Sequence, residues 1–223
     1  MDRWELLDSE RLPDDSGVLD LLRRGPELAI HVDGRQLMSS RVHGSEDALA
    51  ELACRVVGSR TAARVLVGGL GMGFTLAAAL RGVGPGGRVV VAELSPAVVR
   101  WNRGVLGPVA GRPLDDPRAS VFQGDVADLI EEPGQPWDAI LLDVDNGPEA
   151  LSHPDNAWLY GFSGLGAAHA ALCRGGVLGV WSAFNDRAFS RTMGRVGFKV
   201  QTHPVRSRGG KGGRRHVIWI GTK

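Results

Sequence analysis

From residue 64 onward, runs of β-branched apolar residues alternate with segments rich in helix formers. The predicted strands are residues 64–69, 88–94, 119–124, 137–143 and 175–182. Helices are expected to begin near Gly73, Ser95, Val126 and Asn156. Strands that alternate with helices are typical of a parallel sheet covered by helices. The last two apolar runs, FKVQTHPV and HVIWIGT, are joined by a Gly/Arg loop that is too short for a helix, so they must pair antiparallel.

The first 45 residues follow a different pattern. Residues 27–40 contain Asp33-Gly34, a two-residue turn signal between strand-like arms, which predicts a β-hairpin. Residues 1–26 are polar, and Pro13 and Gly17 interrupt any longer pattern. Ser45 is placed to cap a helix through residues 46–57. The chain therefore divides into a short N-terminal segment, residues 1–45, and a Rossmann-like α/β domain, residues 46–223.

Residues 64–73, RVLVGGLGMG, predict a strand, a glycine turn and the start of a helix. The spacing is G-x-G-x-G, at Gly69, Gly71 and Gly73. Such a turn needs positive φ angles and a backbone bare enough to touch a ligand. The helix behind it offers unpaired N–H groups. Because many α/β proteins have a glycine turn for packing reasons, other residues must decide between packing and binding.

Three consecutive predicted strands end in carboxylates. Glu93 ends the second strand, 20 residues after Gly73, where an acid can accept both hydroxyls of a ribose. Asp125 follows the third strand, and Asp143 and Asp145 follow the fourth. The carboxyl ends of parallel strands line the ligand crevice of an open α/β sheet. A single acid is more often a helix cap or a solvated loop residue, but three in succession after a glycine turn favour a ligand site.

Composition and charge narrow the function. The 223 residues are 43% hydrophobic and 23% charged, with a net charge of +1, which predicts neither nucleic acid nor membrane binding. Basic residues crowd the Gly-rich loop 206–215, where a solvated loop is favoured over an RNA-contacting hairpin. Cys54 and Cys173 have no metal or redox spacing, so we expect no metal. Without a signal peptide or a transmembrane-length apolar run, the expected location is cytoplasmic. The composition does not decide whether the protein forms a homodimer.

These motifs together resemble the spermidine synthase-like branch of the class I S-adenosylmethionine (SAM)-dependent methyltransferase superfamily, over roughly residues 27–222. VLVGGLGMG is similar to the family's turn VLxxGGGDG, and GDVADLI to the segment whose acid holds adenine. WDAILLDVDNGPE stands where the family has its catalytic D-x-x-D-P loop. The resemblance implies a mostly parallel seven-stranded sheet with a terminal antiparallel hairpin, preceded by a short N-terminal β-hairpin. It also implies SAM or decarboxylated SAM as the ligand, and a small-molecule acceptor.

The strand ends and the resemblance together assign the site residues. The residues expected to bind the nucleoside are Gly69, Gly71, Gly73, Glu93, Asp125, Val126 and Asp143. Asp143 and Asp145 are expected to be catalytic. Asn146, Trp158 and Tyr160 are expected to bind the acceptor, although helix packing is an equal alternative for the two aromatic residues.

Several departures from the family pattern bear on the reaction. Met72 replaces the acid of GGGDG that helps to hold an aminopropyl donor, and Asn146 falls where the family has its second catalytic acid. The family's DE-x-x-YHE signature is absent, since residues 41–46 read RVHGSE. Because methylation can proceed by positioning with little acid–base help, methyl transfer to a small amine or cationic acceptor is slightly favoured. The alternatives are a spermidine synthase-type aminopropyltransferase using decarboxylated SAM and a non-catalytic nucleoside-binding protein.

Overall fold

The computed structural model describes residues 3–12, 17–143 and 157–223. Within these ranges the chain forms one sheet of four antiparallel strands and one sheet of seven strands. No helix in these ranges has the length and apolar character needed to span a membrane.

The N-terminal sheet is larger than the predicted hairpin. Its strands, in the order β1-β2-β3-β4, are β1 Glu5–Arg11, β2 Val18–Arg24, β3 Glu27–Val32 and β4 Arg35–Ser39. β3 and β4 are the predicted hairpin, and Asp33 and Gly34 have positive φ angles of 47° and 74°. The prediction of one hairpin was incomplete, because alternate residues of β2, Leu19 and Leu21, are buried and make it an inner strand.

The large sheet has the predicted parallel arrangement with an antiparallel end. Its order is β10-β11-β9-β8-β5-β6-β7. The strands are β5 Arg64–Gly68, β6 Arg88–Glu93, β7 Ala119–Gln123, β8 Trp137–Leu142, β9 Leu172–Ser182, β10 Lys199–Arg206 and β11 Arg215–Thr222. β5 to β9 pair parallel, whereas β11 pairs antiparallel with both β9 and β10. The predicted fold class is therefore confirmed.

Helices cover both faces of this sheet. They are α1 Gly44–Val57, α2 Phe74–Gly82, α3 Pro96–Arg103, α4 Val126–Glu131, α5 Ala157–Tyr160, α6 Phe162–Ala171 and α7 Arg187–Val196. Successive side chains of β5 point to opposite faces. Val65 and Val67 join the core under α1 and α2, and Leu66 joins the core under α4 and α6. The central strands are thus buried on both sides, which holds their carboxyl ends in fixed positions.

Two predicted helix caps have different outcomes. Ser95 caps α3 as expected, since its Oγ accepts from the Val98 N–H at 3.4 Å and Pro96 follows it. The prediction that Ser45 caps α1 is wrong. α1 begins two residues earlier than predicted, at Gly44, whose N–H donates to the Ser207 carbonyl at 2.8 Å. A contact from the terminal hairpin therefore replaces the local cap. The domain division at residue 45 stays a prediction.

Candidate functional site

The glycine turn follows β5 and has the predicted backbone. Gly69, Gly71 and Gly73 have φ angles of 88°, 50° and 84°. The Asn102 side-chain amide donates to the Gly71 carbonyl at 2.8 Å and so ties α3 to the turn. A Cβ added at Gly71 would lie 3.1 Å from the Met38 Sδ of β4. The N-terminal sheet therefore packs against the middle of the turn.

Glu93 links the end of β6 to the glycine turn. Its Oε2 accepts from the Leu70 N–H at 3.0 Å, and its Oε1 accepts from the Ser95 N–H at 2.8 Å. The carboxylate is half-buried, and the neighbouring Leu94 side chain is 57% exposed. An oriented carboxylate beside an open apolar side chain suits a ribose and a planar base, but ribose binding stays a prediction.

Asp125 and Val126 stand at the end of the next strand. Asp125 is exposed and caps α4, because its Oδ1 accepts from the Ala127 N–H at 2.9 Å. Val126 is buried, and a Cβ on Gly68 would lie 3.1 Å from its Cγ2. The capping alternative thus accounts for one oxygen of Asp125. Contact between its carboxylate and adenine stays a prediction.

Asp143 is joined by two hydrogen bonds to the residues that flank the glycine turn, Gly68 at the end of β5 and Thr75 in α2. Its N–H donates to the Gly68 carbonyl at 3.0 Å, and its Oδ2 accepts from the Thr75 hydroxyl at 2.5 Å. Burial raises the pKa of this carboxyl to about 6, against the lowering effect of the Thr75 hydrogen bond. The predicted site residues Asp145 and Asn146 lie outside the described residues.

Glu46 is a second acid at this site, and the sequence analysis missed it. Burial and then the negative charge of Asp143 raise the pKa of Glu46 to about 7. Glu46 stands in the first turn of α1. In the same turn region, the His43 ring stacks on Phe74, the first residue of α2, with ring centroids 4.0 Å apart. Because Thr75 follows Phe74, the first turns of α1 and α2 both face Asp143.

Glu46 is connected to the terminal hairpin through a short hydrogen-bond chain. The Ser45 hydroxyl donates to Glu46 Oε2 at 2.6 Å, and His216 Nδ1 lies 3.0 Å from the Ser45 Oγ. Burial and the positive charge of Arg214 lower the pKa of His216, which favours a neutral ring. The ring meets Trp181 edge-on, with centroids 4.8 Å apart. No signal in the sequence joins these residues, which come from the two ends of the chain.

The aromatic residues expected to bind the acceptor pack in the described structure. Tyr160 is 3% exposed, and its ring meets Phe189 edge-on with centroids 6.0 Å apart. Trp158 is half-buried against the same apolar cluster. These contacts favour the packing alternative, and acceptor binding stays a prediction. Met72, at the position of the missing acid, is also buried in the core.

The basic loop between β10 and β11 rests on the start of α1. Ser207 is buried, and its Oγ accepts from the Arg214 N–H at 3.0 Å. A Cβ on Gly44 would clash with the Gly209 backbone. This packing does not require a nucleic acid, and RNA contact stays an unsupported alternative.

The chemistry of these residues could hold a nucleoside that carries a sulfonium. In the part of the chain that the structure describes, no group of three or more His, Cys, Asp or Glu side chains could hold a metal ion. The turn lacks Cβ atoms at three positions, and oriented carboxylates stand at the ends of β6 and β8. A bare turn can approach a nucleoside closely, and carboxylates accept from ribose hydroxyls and attract a positive charge.

Comparison with known proteins identifies the fold. No protein-family model matches the chain, and no curated protein matches it. Among solved structures, spermidine synthase from Thermotoga maritima is 18% identical, with a TM-score of 0.77 over 98% of this chain and 72% of the other. A spermidine synthase in complex with the transition-state analogue AdoDATO is 17% identical, with a TM-score of 0.75 and the same coverage. Both alignments span the N-terminal sheet as well as the large one. The chain therefore has the spermidine synthase-like form of the class I methyltransferase fold.

Proposed function

We propose that this protein is a transferase that moves the aminopropyl group of decarboxylated SAM to a small amine. The observation that carries the proposal is the fold likeness over 98% of the chain, which includes the four-stranded N-terminal sheet and not the Rossmann-like domain alone. This favours the aminopropyl alternative over methyl transfer. The proposed enzyme would be a soluble protein that acts on a small molecule in the cytoplasm.

The described residues could hold the donor in one orientation. Glu93 would accept from the ribose hydroxyls, and the positive-φ turn at Gly71 would let the backbone approach the nucleoside. Asp125 would accept from the adenine amino group. The sulfonium would then project towards the end of β8, where the partly buried carboxyl of Asp143 stands. The donor supplies an electrophilic carbon next to a positively charged sulfur.

The acids near Asp143 suit a cationic or amine acceptor. Burial and the negative charge of Asp143 raise the pKa of Glu46, and among the described residues neither carboxyl makes an ion pair with an Arg or Lys. An ammonium group could supply the missing positive charge, and it is favourable beside carboxylates in a poorly solvated site. The acceptor would dock there, close to residues 143–148 and 158–160.

One observation keeps methyl transfer as the second candidate. Met72 is buried in the core at the position where the family resemblance expects an acid for the aminopropyl group. If no other acid replaces it, the site loses one contact to the donor amine. Methyl transfer from SAM needs no such contact.

Competing donors separate these possibilities. The purified protein is incubated with a diamine, beginning with putrescine, and with either decarboxylated SAM or SAM. Release of methylthioadenosine from decarboxylated SAM, together with a longer polyamine, supports the proposal. Release of S-adenosylhomocysteine from SAM instead supports methyl transfer. Tight binding of methylthioadenosine without turnover across a panel of amines would support the non-catalytic alternative and contradict the proposal.

A further inference from the structure

An amine must lose a proton before its nitrogen can attack, and this chain has Asn146 where the family resemblance expects an acid. The stacked rings of His43 and Phe74 bring the first turn of α1 to the turn of α2 whose Thr75 holds Asp143. Burial and then the charge of Asp143 raise the pKa of Glu46. Asp143 is already held by the Thr75 hydroxyl at 2.5 Å. A hydroxyl also donates to Glu46, but that hydroxyl, of Ser45, leads on to the imidazole of His216, so Glu46 is the better candidate for accepting a proton.

The geometry around Glu46 connects it to a route out of the site. Its Oε2 lies 2.6 Å from the Ser45 Oγ, and the Ser45 Oγ lies 3.0 Å from His216 Nδ1. A hydroxyl both donates and accepts, so Ser45 can pass one proton on while it takes another. His216 is partly exposed, so its imidazole can release a proton to water.

The charged groups around Glu46, Ser45 and His216 disfavour a lasting charge on the imidazole. Asp143 faces Glu46 from β8, and Asp47 faces it from α1. Asp47 is itself paired with His43 at 2.7 Å and with Arg81 at 3.0 Å, so its charge is largely satisfied. Arg214 stands near His216 and opposes a lasting positive charge on the ring. A proton that reaches His216 is therefore released and not stored.

We propose that Glu46 is the general base for the acceptor amine and that Ser45 and His216 carry the proton away. The inference rests on the proposed function. The acceptor ammonium gives a proton to the Glu46 carboxylate. The nitrogen lone pair then forms the new N–C bond while the C–S bond breaks, and that electron pair stays on sulfur as a neutral thioether. Glu46 passes its proton to Ser45 as the Ser45 hydroxyl proton moves to His216 Nδ1, and the imidazolium loses a proton to water.

The pH dependence of turnover tests the role of Glu46. Glu46→Gln should lower kcat about a hundredfold or more, the usual contribution of a positioned base, with little change in methylthioadenosine affinity. In the unsubstituted protein, kcat/KM should fall below about pH 7, where Glu46 takes up a proton. In Glu46→Gln this limb should disappear, and the remaining rate should rise with pH towards the pKa of a free amine, about 10. Glu51→Gln, on the exposed face of the same helix, is the matched control and should leave the profile unchanged.

Substitutions of His216 and Ser45 distinguish a role in proton transfer from a purely structural role. His216→Asn keeps a hydrogen-bonding side chain towards Ser45 but cannot take up a proton from it, so kcat should fall about tenfold or more while affinity is kept. Ser45→Ala should have a similar effect. If the unsubstituted protein transfers no group, the proposed function fails and the base role fails with it. If the unsubstituted protein transfers the group and the Glu46→Gln variant keeps both the same rate and the same fall in rate below about pH 7, only the role of Glu46 as base is overturned. If His216→Asn is unaffected, the relay is overturned.

Discussion

The Thr75 hydroxyl donates to Asp143 Oδ2 across 2.5 Å, which joins the first turn of α2 to the end of β8. Thr75 is itself buried. Its hydrogen bond stabilises the charged carboxylate, whereas burial favours the neutral acid. Among the described residues, the Thr75 hydroxyl is therefore the group that lowers the pKa of Asp143 and favours its ionisation near neutral pH.

Thr75→Val should raise the pKa of Asp143 above its value of about 6. Valine keeps a similar shape but removes the donor, so more of the carboxyl is protonated at pH 7. Transfer at pH 7 should fall severalfold, and the difference from the unsubstituted protein should shrink at pH 9. Thr75→Ser retains the hydroxyl and serves as the control. Equal pH–rate profiles for the valine and serine variants would contradict the prediction.

The raised pKa values also predict how stability depends on pH. The folded-state pKa of Asp143 is about 6 against an ordinary 3.8, and that of Glu46 is about 7 against 4.5. The folded protein thus binds these protons more tightly than the unfolded chain. Ionisation of these two carboxyls destabilises the folded protein. This loss of stability is absent below about pH 4, grows as the pH rises and is complete above about pH 7. Glu46→Gln should therefore raise the free energy of unfolding by about 1–3 kcal/mol at pH 8 and by little at pH 4.

Denaturant unfolding of the Glu46→Gln variant at both pH values checks this result, with Glu51→Gln as the control. A loss of stability at pH 8 would contradict it. A gain in stability together with a loss of turnover would mean that the carboxylate is retained for its chemistry, at a cost to the fold.

Glu93→Ala should weaken methylthioadenosine binding by about 1.5–3 kcal/mol, because hydrogen bonds from the ribose to a charged group are lost. The carboxylate also accepts from the Leu70 and Ser95 N–H groups, so the variant's fold must be checked by circular dichroism. Calorimetric titration measures the affinity, and Glu131→Ala, an exposed acid on α4, is the control. An unchanged dissociation constant in the folded variant would remove Glu93 from the site.

Asp125→Asn separates the capping role of this residue from adenine recognition. Asparagine caps a helix about as well as aspartate, so α4 should persist. If the Asp125 carboxylate accepts from the adenine amino group, the unsubstituted protein should bind methylthioadenosine more tightly than methylthioinosine, which lacks that amino group. The variant should lose most of this preference. Equal preferences in both proteins would leave Asp125 as a helix cap alone.

Gly71→Val should weaken methylthioadenosine binding at least a hundredfold. The added side chain strains a backbone at φ 50° and meets Met38. Gly111→Ala is the matched control, because its φ is also positive, at 76°, but nothing lies within 4 Å of the added Cβ. That variant should bind normally. If Gly71→Val also binds normally, the turn serves packing and the nucleoside site is elsewhere.

The sequence predicted the large sheet well because its signals are local. Each parallel strand is an apolar run that ends at a turn or an acid, and the positive-φ turn is marked by its glycines. The residues expected to face the nucleoside come from the same pattern, since they stand at strand ends, and their role stays a prediction. Within the N-terminal sheet, β1 and β2 were missed because their alternation is short and mostly polar on the outer face.

The acids of the site were harder to predict because their chemistry depends on tertiary contacts. Glu46 stands in the first turn of an ordinary amphipathic helix, and only its burial beside Asp143 makes it unusual. Ser45 was expected to act within its own helix, yet its hydroxyl joins Glu46 and the imidazole of His216. No spacing rule relates residues that meet only after the whole sheet is assembled.

The contact between Ser45 and His216 spans 171 positions of the sequence. Closing such a long loop costs chain entropy before any contact repays it, so this corner should form late in folding. During synthesis, the first turn of α1 leaves the ribosome long before its partner strand exists. Glu46 and Ser45 then lack the β11 imidazole, and the nascent chain cannot carry out the proton relay. On the proposed relay, a chain would reach its full rate of transfer only after residue 216 has been added and β11 has inserted between β9 and β10.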